Sequence, residues 1–213
     1  AANLGVLATL GGPDVTILSD ELNHASIVDG ARLARADVRV YRHGDLDHLA
    51  KLLVDVTAAG GGPVIVVTDS AFSMDGDVVD VAALVDTCAD HDALVVLDEA
   101  HAVLGPRVDL AAAAARGVTV VRVGTLSKAL GSLGGFVAGP RRYVDLLRNR
   151  ARPFIFTTAP TPADVAAALA AVRVVRSAEG VALVARLRSH VERLRPGHPT
   201  PIVPVVLGEE AAA

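Results

Sequence analysis

Short apolar runs alternate with longer segments of helical periodicity along this chain of 213 residues. Residues 64–67, 94–97 and 118–123 are mostly Val, Ile and Leu. Such nearly uniform strands are typical of a parallel sheet that is buried on both faces. The alternation therefore predicts an α/β fold with a mostly parallel sheet flanked by helices.

Further elements follow from the same patterns. Additional strands are predicted at 15–18, 38–41, 136–138 and 202–207. Helices are predicted at 23–35, 45–54, 78–89, 108–115 and 141–149, with Asp45 as an N-cap, and a long alanine-rich stretch at 163–194 has Gly180 as a candidate interruption. No linker divides the first 160 residues, so we expect a large domain at 1–160. Residues 161–213 are expected to be a connecting helix and the start of a smaller domain.

Polar side chains follow three of the apolar runs directly. Lys128 lies in the small-residue segment 124–135, Asp98 and His101 follow 94–97, and Ser73 lies shortly after 64–67. Because open α/β sheets bind ligands at the carboxyl ends of their strands, these groups are expected to share one site.

The types of these residues indicate a chemistry. A lysine in such a turn can be partly desolvated, which lowers its pKa and frees an amine that forms Schiff bases with carbonyl groups. Pyridoxal phosphate requires an amine for its aldehyde, an anion beside its pyridine nitrogen, and donors for its phenolate and phosphate oxygens. Taken singly, Asp98 is equally well explained as a helix cap, and His101 as a satisfied, partly buried histidine.

Composition and charge exclude other classes. A net charge of −4 and a pI near 6.0 leave no basic stripe for nucleic acid. The single cysteine, Cys88, excludes an internal disulfide or a cysteine metal cage and is expected in the core. No apolar stretch reaches the ~18 residues of a membrane span, and no signal peptide is visible, so we expect a cytoplasmic protein without a membrane partner.

No metal site is expected. Asp75 and Asp77 resemble an acidic loop, but the loop is short and no glutamate closes it, which disfavours calcium. His43, Asp45 and His48 straddle a strand–helix junction and are interpreted as solvated surface, because structural zinc sites show tighter spacing.

Four segments together resemble a known family. Residues 19–26 (SDELNHAS), 68–77, 97–101 and 124–135 are similar to the α-oxoamine synthases. These pyridoxal-phosphate enzymes join an acyl thioester to an amino acid with loss of carbon dioxide. The resemblance covers nearly the whole chain, and it implies pyridoxal 5'-phosphate as cofactor and the fold-type I architecture.

The resemblance implies roles for the strand-end residues. Lys128 would carry the cofactor and later move the proton at the substrate's α-carbon. Asp98 would pair with the pyridinium nitrogen, while His101 and Ser73 would bond the phenolic oxygen.

It also implies roles for residues elsewhere. His24 would lie flat on the ring and help to position the substrate, although a helix cap is the alternative. Thr125, with Ser127 as a weaker candidate, would bind the phosphate, and Thr157 would reach it across a dimer interface. Asp69 completes the set of expected cofactor-binding residues. The family further implies a homodimer.

Residues 151–158 (ARPFIFTT) are most similar to the branch of the family that serves biotin synthesis. The expected reaction is therefore condensation of L-alanine with pimeloyl-CoA or pimeloyl-ACP to 8-amino-7-oxononanoate. The rival within the family is glycine with acetyl-CoA. A nucleotide-binding α/β protein is the rival from another class, but residues 131–135 do not fit its glycine fingerprint. Because family members are longer, we also expect missing segments near Gly105 and Arg195 and a largely absent C-terminal domain.

Overall fold

A single six-stranded sheet forms the centre of the computed structural model, which describes residues 1–105 and 108–208. The strands are β1 Thr16–Asp20, β2 Asp37–Tyr41, β3 Val64–Asp69, β4 Leu94–Asp98, β5 Val120–Thr125 and β6 Gly135–Ala138. Their spatial order is β2-β1-β3-β4-β5-β6, and β6 alone among them runs antiparallel to its neighbour. The predicted α/β class with a mostly parallel sheet is confirmed.

Helices connect the strands and extend beyond them. They are α1 Ala2–Leu10, α2 Ala25–Leu33, α3 Leu46–Ala58, α4 Val81–Ala89, α5 Ala111–Arg116, α6 Arg141–Arg150, α7 Arg152–Ile155, α8 Pro162–Val175 and α9 Ala178–Leu194. Asp45 is the N-cap of α3, as predicted, and its carboxylate accepts the His48 N–H at 2.8 Å.

The core has two layers, one on each face of the sheet. Side chains alternate along β3, so that Val64 and Val66 face the layer beneath α3, α4 and α5, whereas Ile65 and Val67 face the layer beneath α1, α2 and α6. Cys88 is fully buried in the first layer. Burial on both faces explains why the strands are almost continuously apolar.

Helix α1 packs tightly on α2 at Gly30. A Cβ at this glycine would lie 3.1 Å from both the Asn3 carbonyl oxygen and a Leu7 methyl group. The missing side chain therefore allows the two helices to approach closely. This approach brings the first turn of α1 against the edge of the sheet.

Three predictions need correction or restriction. Residues 202–207 form no strand, because Pro204 lacks a backbone donor and Val205, Val206 and Leu207 are 73–87% exposed with no strand beside them among the described residues. The stretch 163–194 is broken at Ser177, the N-cap of α9, so Gly180 lies inside the first turn of α9. Pro106 and Arg107, beside the missing segment expected near Gly105, and residues 209–213 lie outside the described residues, whereas Arg195 lies within them.

Residues after α9 pack back on the loop that follows β3. Thr200 is fully buried, and its hydroxyl donates to the Gly76 carbonyl at 2.6 Å. In the part of the chain that the structure describes, no helix is long and apolar enough to cross a membrane.

Candidate active site

The carboxyl ends of β3, β4 and β5 lie level at one edge of the sheet. Asp69 and Asp98 are partners in the parallel register, and Asp98 is in turn paired with Val123. Lys128 follows three residues after the end of β5. The chain reverses its direction across the sheet between β1 and β3, which is where open α/β sheets bind ligands.

Lys128 and His101 meet directly at this edge, with the lysine amine against Nε2 of the imidazole. Burial lowers the pKa of His101, and the charge of Lys128 lowers it further, against the opposing charge of Asp98. A neutral imidazole offers a lone pair, so its Nε2 accepts a hydrogen bond that the Lys128 ammonium group donates.

The environment of Lys128 differs from the prediction in one respect. Desolvation was expected, but Lys128 is exposed, because no described element of this chain covers the turn that carries it. The turn itself is well defined. Gly131 donates to the Lys128 carbonyl at 3.0 Å, and Leu126 donates to the Gly134 carbonyl at 2.9 Å.

Asp98 is buried, with only 5% of its surface exposed. Its Oδ1 accepts the Ala100 N–H at 2.8 Å, as a cap would, and its Oδ2 accepts the Asn3 side-chain amide at 2.6 Å. Both Ser70 donors, the backbone N–H and the hydroxyl, bind the Asp98 carbonyl. The two interpretations of Asp98 are compatible, since one oxygen caps the turn and the other faces the site.

Asn3 was missed by the sequence analysis. Its amide donates to Asp98 and also to the Ser26 hydroxyl at 2.9 Å, and that hydroxyl lies 2.8 Å from Nδ1 of His24. One buried side chain on α1 thus links the carboxylate to the imidazole. The available signal was a lone amide within the apolar sequence of α1.

His24 is the N-cap of α2, and its Nδ1 accepts the Ser26 N–H at 3.1 Å. The capping alternative is therefore what the structure contains. The cap also fixes the orientation of the His24 ring at the start of α2.

Asp69 holds the backbone of His24 through a hydrogen bond. The Asp69 carboxylate is 4% exposed and accepts the His24 backbone N–H at 2.8 Å, while the Asp69 N–H donates to Asn23. Burial raises the pKa of Asp69 to about 7, with a further contribution from the charge of Asp98. Two carboxylates this close in a low dielectric disfavour simultaneous ionisation.

Hydroxyls and helix N–H groups converge beside this cluster. The Thr125 hydroxyl lies 2.7 Å from that of Ser127, and no side chain among the described residues caps the start of α1. Thr125 is paired with Gly135, where an added Cβ would lie 3.4 Å from the Ala2 side chain. Uncapped helix N–H groups and neighbouring hydroxyls are the donors that bind phosphate.

Two predicted residues are not joined to the cluster. Ser73 and Thr157 are both exposed, and neither makes a side-chain hydrogen bond to the other predicted residues within the described ranges. Residues 1–105 and 108–208 contain no group of three or more His, Cys, Asp or Glu side chains that could hold a metal ion.

The model of the family described as aminotransferase class I and II matches residues 1–198. The chain belongs to the aminotransferase class I and II family.

Curated relatives carry a more specific name. An 8-amino-7-oxononanoate synthase from Anaeromyxobacter dehalogenans (strain 2CP-C) is 48% identical over 225 residues, covering 100% of this chain, and one from Alkalilimnicola ehrlichii is 45% identical, covering 98%. The chain spans 56% of the length of each.

Solved structures agree with this membership of the class I and II aminotransferase family. Serine palmitoyltransferase from S. paucimobilis, with PLP and myriocin bound, matches with a TM-score of 0.82 and 32% identity, over 92% of this chain and 51% of that one. The 8-amino-7-oxononanoate synthase of Francisella tularensis matches with a TM-score of 0.70 and 26% identity, over 89% and 55%. The predicted resemblance to α-oxoamine synthases is confirmed.

The raised pKa of Asp69 generates a stability prediction. Its folded pKa of about 7 lies above the ordinary 3.8, so its contribution to stability is full below pH 4 and is lost as the pH rises towards 7. An asparagine at this position would stay neutral and keep an oxygen for the His24 N–H. Between pH 4 and pH 8 we expect the unfolding free energy of Asp69→Asn to rise relative to the unsubstituted protein, by on the order of 4 kcal/mol.

Urea unfolding at a series of pH values measures this difference. Asp29→Asn, which changes an exposed carboxylate on α2, is the matched control and should follow the unsubstituted protein. Parallel curves for Asp69→Asn and the unsubstituted protein would contradict a raised pKa.

Proposed function

We propose that this chain acts in the decarboxylative condensation of L-alanine with a pimeloyl thioester, carried on CoA or ACP, to give 8-amino-7-oxononanoate. The 48% identity to relatives of that name carries the proposal. The contact of Lys128 with His101, beside the buried Asp98, supports it with a suitable set of groups.

Pyridoxal phosphate is the cofactor that solved relatives hold, in agreement with the cofactor predicted for this chain. The residues fit it by the chemistry of their groups. The edge offers an amine, a buried carboxylate, an imidazole and, beside the uncapped start of α1, two hydroxyls. These match an aldehyde, a pyridine nitrogen, a phenolate and a phosphate respectively.

We propose a role for each of these residues, taken from the resemblance and supported by its contacts. Bound pyridoxal phosphate supplies an electron sink beside the substrate's α-carbon. Lys128 holds the cofactor through its amine and moves the proton at that carbon, with His101 as its neutral hydrogen-bonding partner. Asp98 keeps the ring nitrogen protonated, because a buried carboxylate with fixed donors favours a cationic neighbour.

The remaining predicted residues complete the proposed site. His24 covers the ring from its capped position on α2, with Asp69 holding its backbone. Thr125 and Ser127 bind the phosphate, and Ser73 bonds the phenolic oxygen. We further propose that residues 1–160 form the large cofactor-binding domain and that 161–213 begin the smaller one.

The alternative to this reaction is the same chemistry with another pair of substrates, and one observation favours it. Serine palmitoyltransferases match this fold with TM-scores of up to 0.82, above that of the Francisella tularensis enzyme. Product analysis with L-alanine and pimeloyl-CoA, glycine and acetyl-CoA, or L-serine and palmitoyl-CoA separates the possibilities. We expect carbon dioxide release with the first pair, and selective turnover of another pair would overturn the assignment.

The covalent role of Lys128 can be tested sharply, because the chain contains only two lysines, Lys51 and Lys128. Borohydride reduction in the presence of pyridoxal phosphate, followed by peptide mapping, should label Lys128. Lys128→Ala should abolish turnover and the yellow absorbance while the fold remains, because within the described residues the side chain of this exposed lysine hydrogen-bonds only to His101. Lys51→Ala, an exposed change on α3, is the control, and label on Lys51 would refute the assignment.

A homodimer with shared sites is also proposed. Phe154 and Phe156 are 61% and 71% exposed on and just after α7, immediately before Thr157. Exposed aromatic residues in a chain with 3% aromatics favour an interface, where such residues are enriched. In this arrangement Thr157 reaches the phosphate of the neighbouring subunit.

A charge at Phe154 tests the dimer. Phe154→Asp should dissociate the dimer in sedimentation experiments and weaken pyridoxal phosphate binding, because Thr157 leaves the neighbour's site. Leu194→Asp, at a 75% exposed position at the end of α9, serves as control and should do neither. A monomeric Phe154→Asp protein that binds the cofactor with unchanged affinity would refute the shared site.

A further inference from the structure

His43 bridges two carboxylates, contrary to its interpretation as solvated surface. Its Nδ1 lies 2.9 Å from Asp20 Oδ1, and its Nε2 lies 2.8 Å from Asp77 Oδ2. The ring also packs edge-on against Phe72, with 4.4 Å between the ring centroids. His43 and Asp77 were each singled out in the sequence and dismissed, and the fold joins them.

The Asp20 end of the bridge is rigid. Asp20 ends β1, is 2% exposed, and its two oxygens also accept the backbone N–H groups of Leu22 and Gly44 at 2.9 and 3.0 Å. A carboxylate with this many fixed donors is an anchor. Because Nδ1 of His43 binds this anchor, the ring holds Asp77, which its Nε2 binds, in a fixed position.

The Asp77 end belongs to a loop, residues 70–79, which we name the 70–79 loop. It closes on itself through Phe72 N–H to the Asp77 carbonyl at 3.0 Å and Val79 N–H to the Ser70 carbonyl at 3.2 Å. Asp77 Oδ1 is buried without a hydrogen-bond partner among the described residues, so His43 is the donor that holds this carboxylate. Ser73 lies in the same loop, four residues before Asp77.

A second hydrogen bond holds the 70–79 loop, and its donor lies in the segment that follows α9. The buried Thr200 hydroxyl donates to the Gly76 carbonyl at 2.6 Å. Gly76 has φ +71, and a Cβ there would lie 2.0 Å from the Ile202 carbonyl oxygen. The loop is therefore clamped between His43 on one side and residues 200–202 on the other.

Both ring nitrogens of His43 face carboxylate oxygens, so both donate only when the ring is protonated. Burial lowers the pKa of His43, but the hydrogen bonds to Asp20 and Asp77 and the charges of both outweigh it and raise the pKa. Glu21, which accepts the His43 backbone N–H at 3.3 Å, adds another negative charge nearby. Above the raised pKa, one of the two donations is lost.

We propose that His43 is a positioning residue, whose doubly hydrogen-bonded ring ties the 70–79 loop, which carries Ser73, to the buried Asp20 and thereby fixes the position from which Ser73 would bond the cofactor. The tie itself is a property of the folded chain, and only the consequence for the cofactor rests on the proposed function. His43 acts through Ser73 and touches no reacting atom.

Hydrogen–deuterium exchange without added cofactor tests the tie. In His43→Gln, the protected Phe72, Gly76 and Val79 amides should exchange at least about tenfold faster, because one side of the clamp is lost. The exposed His190 of α9 provides the control variant, His190→Gln, which should leave these amides unchanged. Unchanged loop exchange in His43→Gln overturns the proposal.

Two further measurements keep the test decisive. Asp77→Ala removes the acceptor of the same tie without changing the buried Asp20, so it replaces His43→Gln if that variant does not fold. In the unsubstituted protein, loop protection corrected for intrinsic exchange should fall as the pH rises through the pKa of His43, whereas in His43→Gln it should stay flat. A pH-independent loop in the unsubstituted protein contradicts the role of the protonated ring.

A double-mutant cycle connects the loop to the cofactor. Pyridoxal phosphate affinity should fall in His43→Gln and in Ser73→Ala, and the two losses should be less than additive if His43 acts through Ser73. Strict additivity overturns the positioning role even when the exchange result stands. Failure to bind pyridoxal phosphate at all, with accelerated loop exchange in His43→Gln, would refute the proposed function while the tie remains.

Discussion

Two buried carboxylates in register, Asp69 and Asp98, are the constraint around which this edge of the sheet is organised. Both lie at strand ends, so each requires donors that its own strand does not supply. Asp98 receives the Asn3 amide and the Ala100 N–H, while Asp69 receives the His24 N–H and has its pKa raised to about 7. Each of these donors comes from a segment that borders the site. The hydrogen bonds that satisfy the two carboxyl groups therefore also hold those segments in place.

This dependence explains why the first turn of α1 matters to the chemistry. Asn3 reaches Asp98 because α1 approaches α2 closely at Gly30, where a side chain would press on the Asn3 carbonyl. The same amide continues through Ser26 to the imidazole of His24. The close packing of α1 on α2 thereby sets the orientation of the Asp98 carboxylate and the His24 imidazole. These two groups are proposed to contact different parts of the cofactor.

Local sequence patterns predicted the sheet well and the polar contacts poorly. Strands such as Val64–Asp69 are apolar almost throughout because both faces are buried, and this is visible in any short window of sequence. Strand-end residues Asp98 and Lys128 could be chosen because parallel strands share an edge. Asn3 and His43 could not, since their partners lie 95 and 34 residues away and depend on the tertiary fold. The strand predicted at 202–207 was wrong for a different reason. The sequence there is apolar, but no neighbouring strand among the described residues pairs with it.

The central claim is that Asp98 keeps the cofactor's pyridine nitrogen protonated. The most direct measurement is the ¹⁵N chemical shift of pyridoxal phosphate, labelled at the pyridine nitrogen and bound to the protein at pH 8. We predict the shift of a protonated nitrogen in the unsubstituted protein and that of a neutral nitrogen in Asp98→Asn, because an amide does not stabilise the cation. A neutral-type shift in the unsubstituted protein would contradict the account.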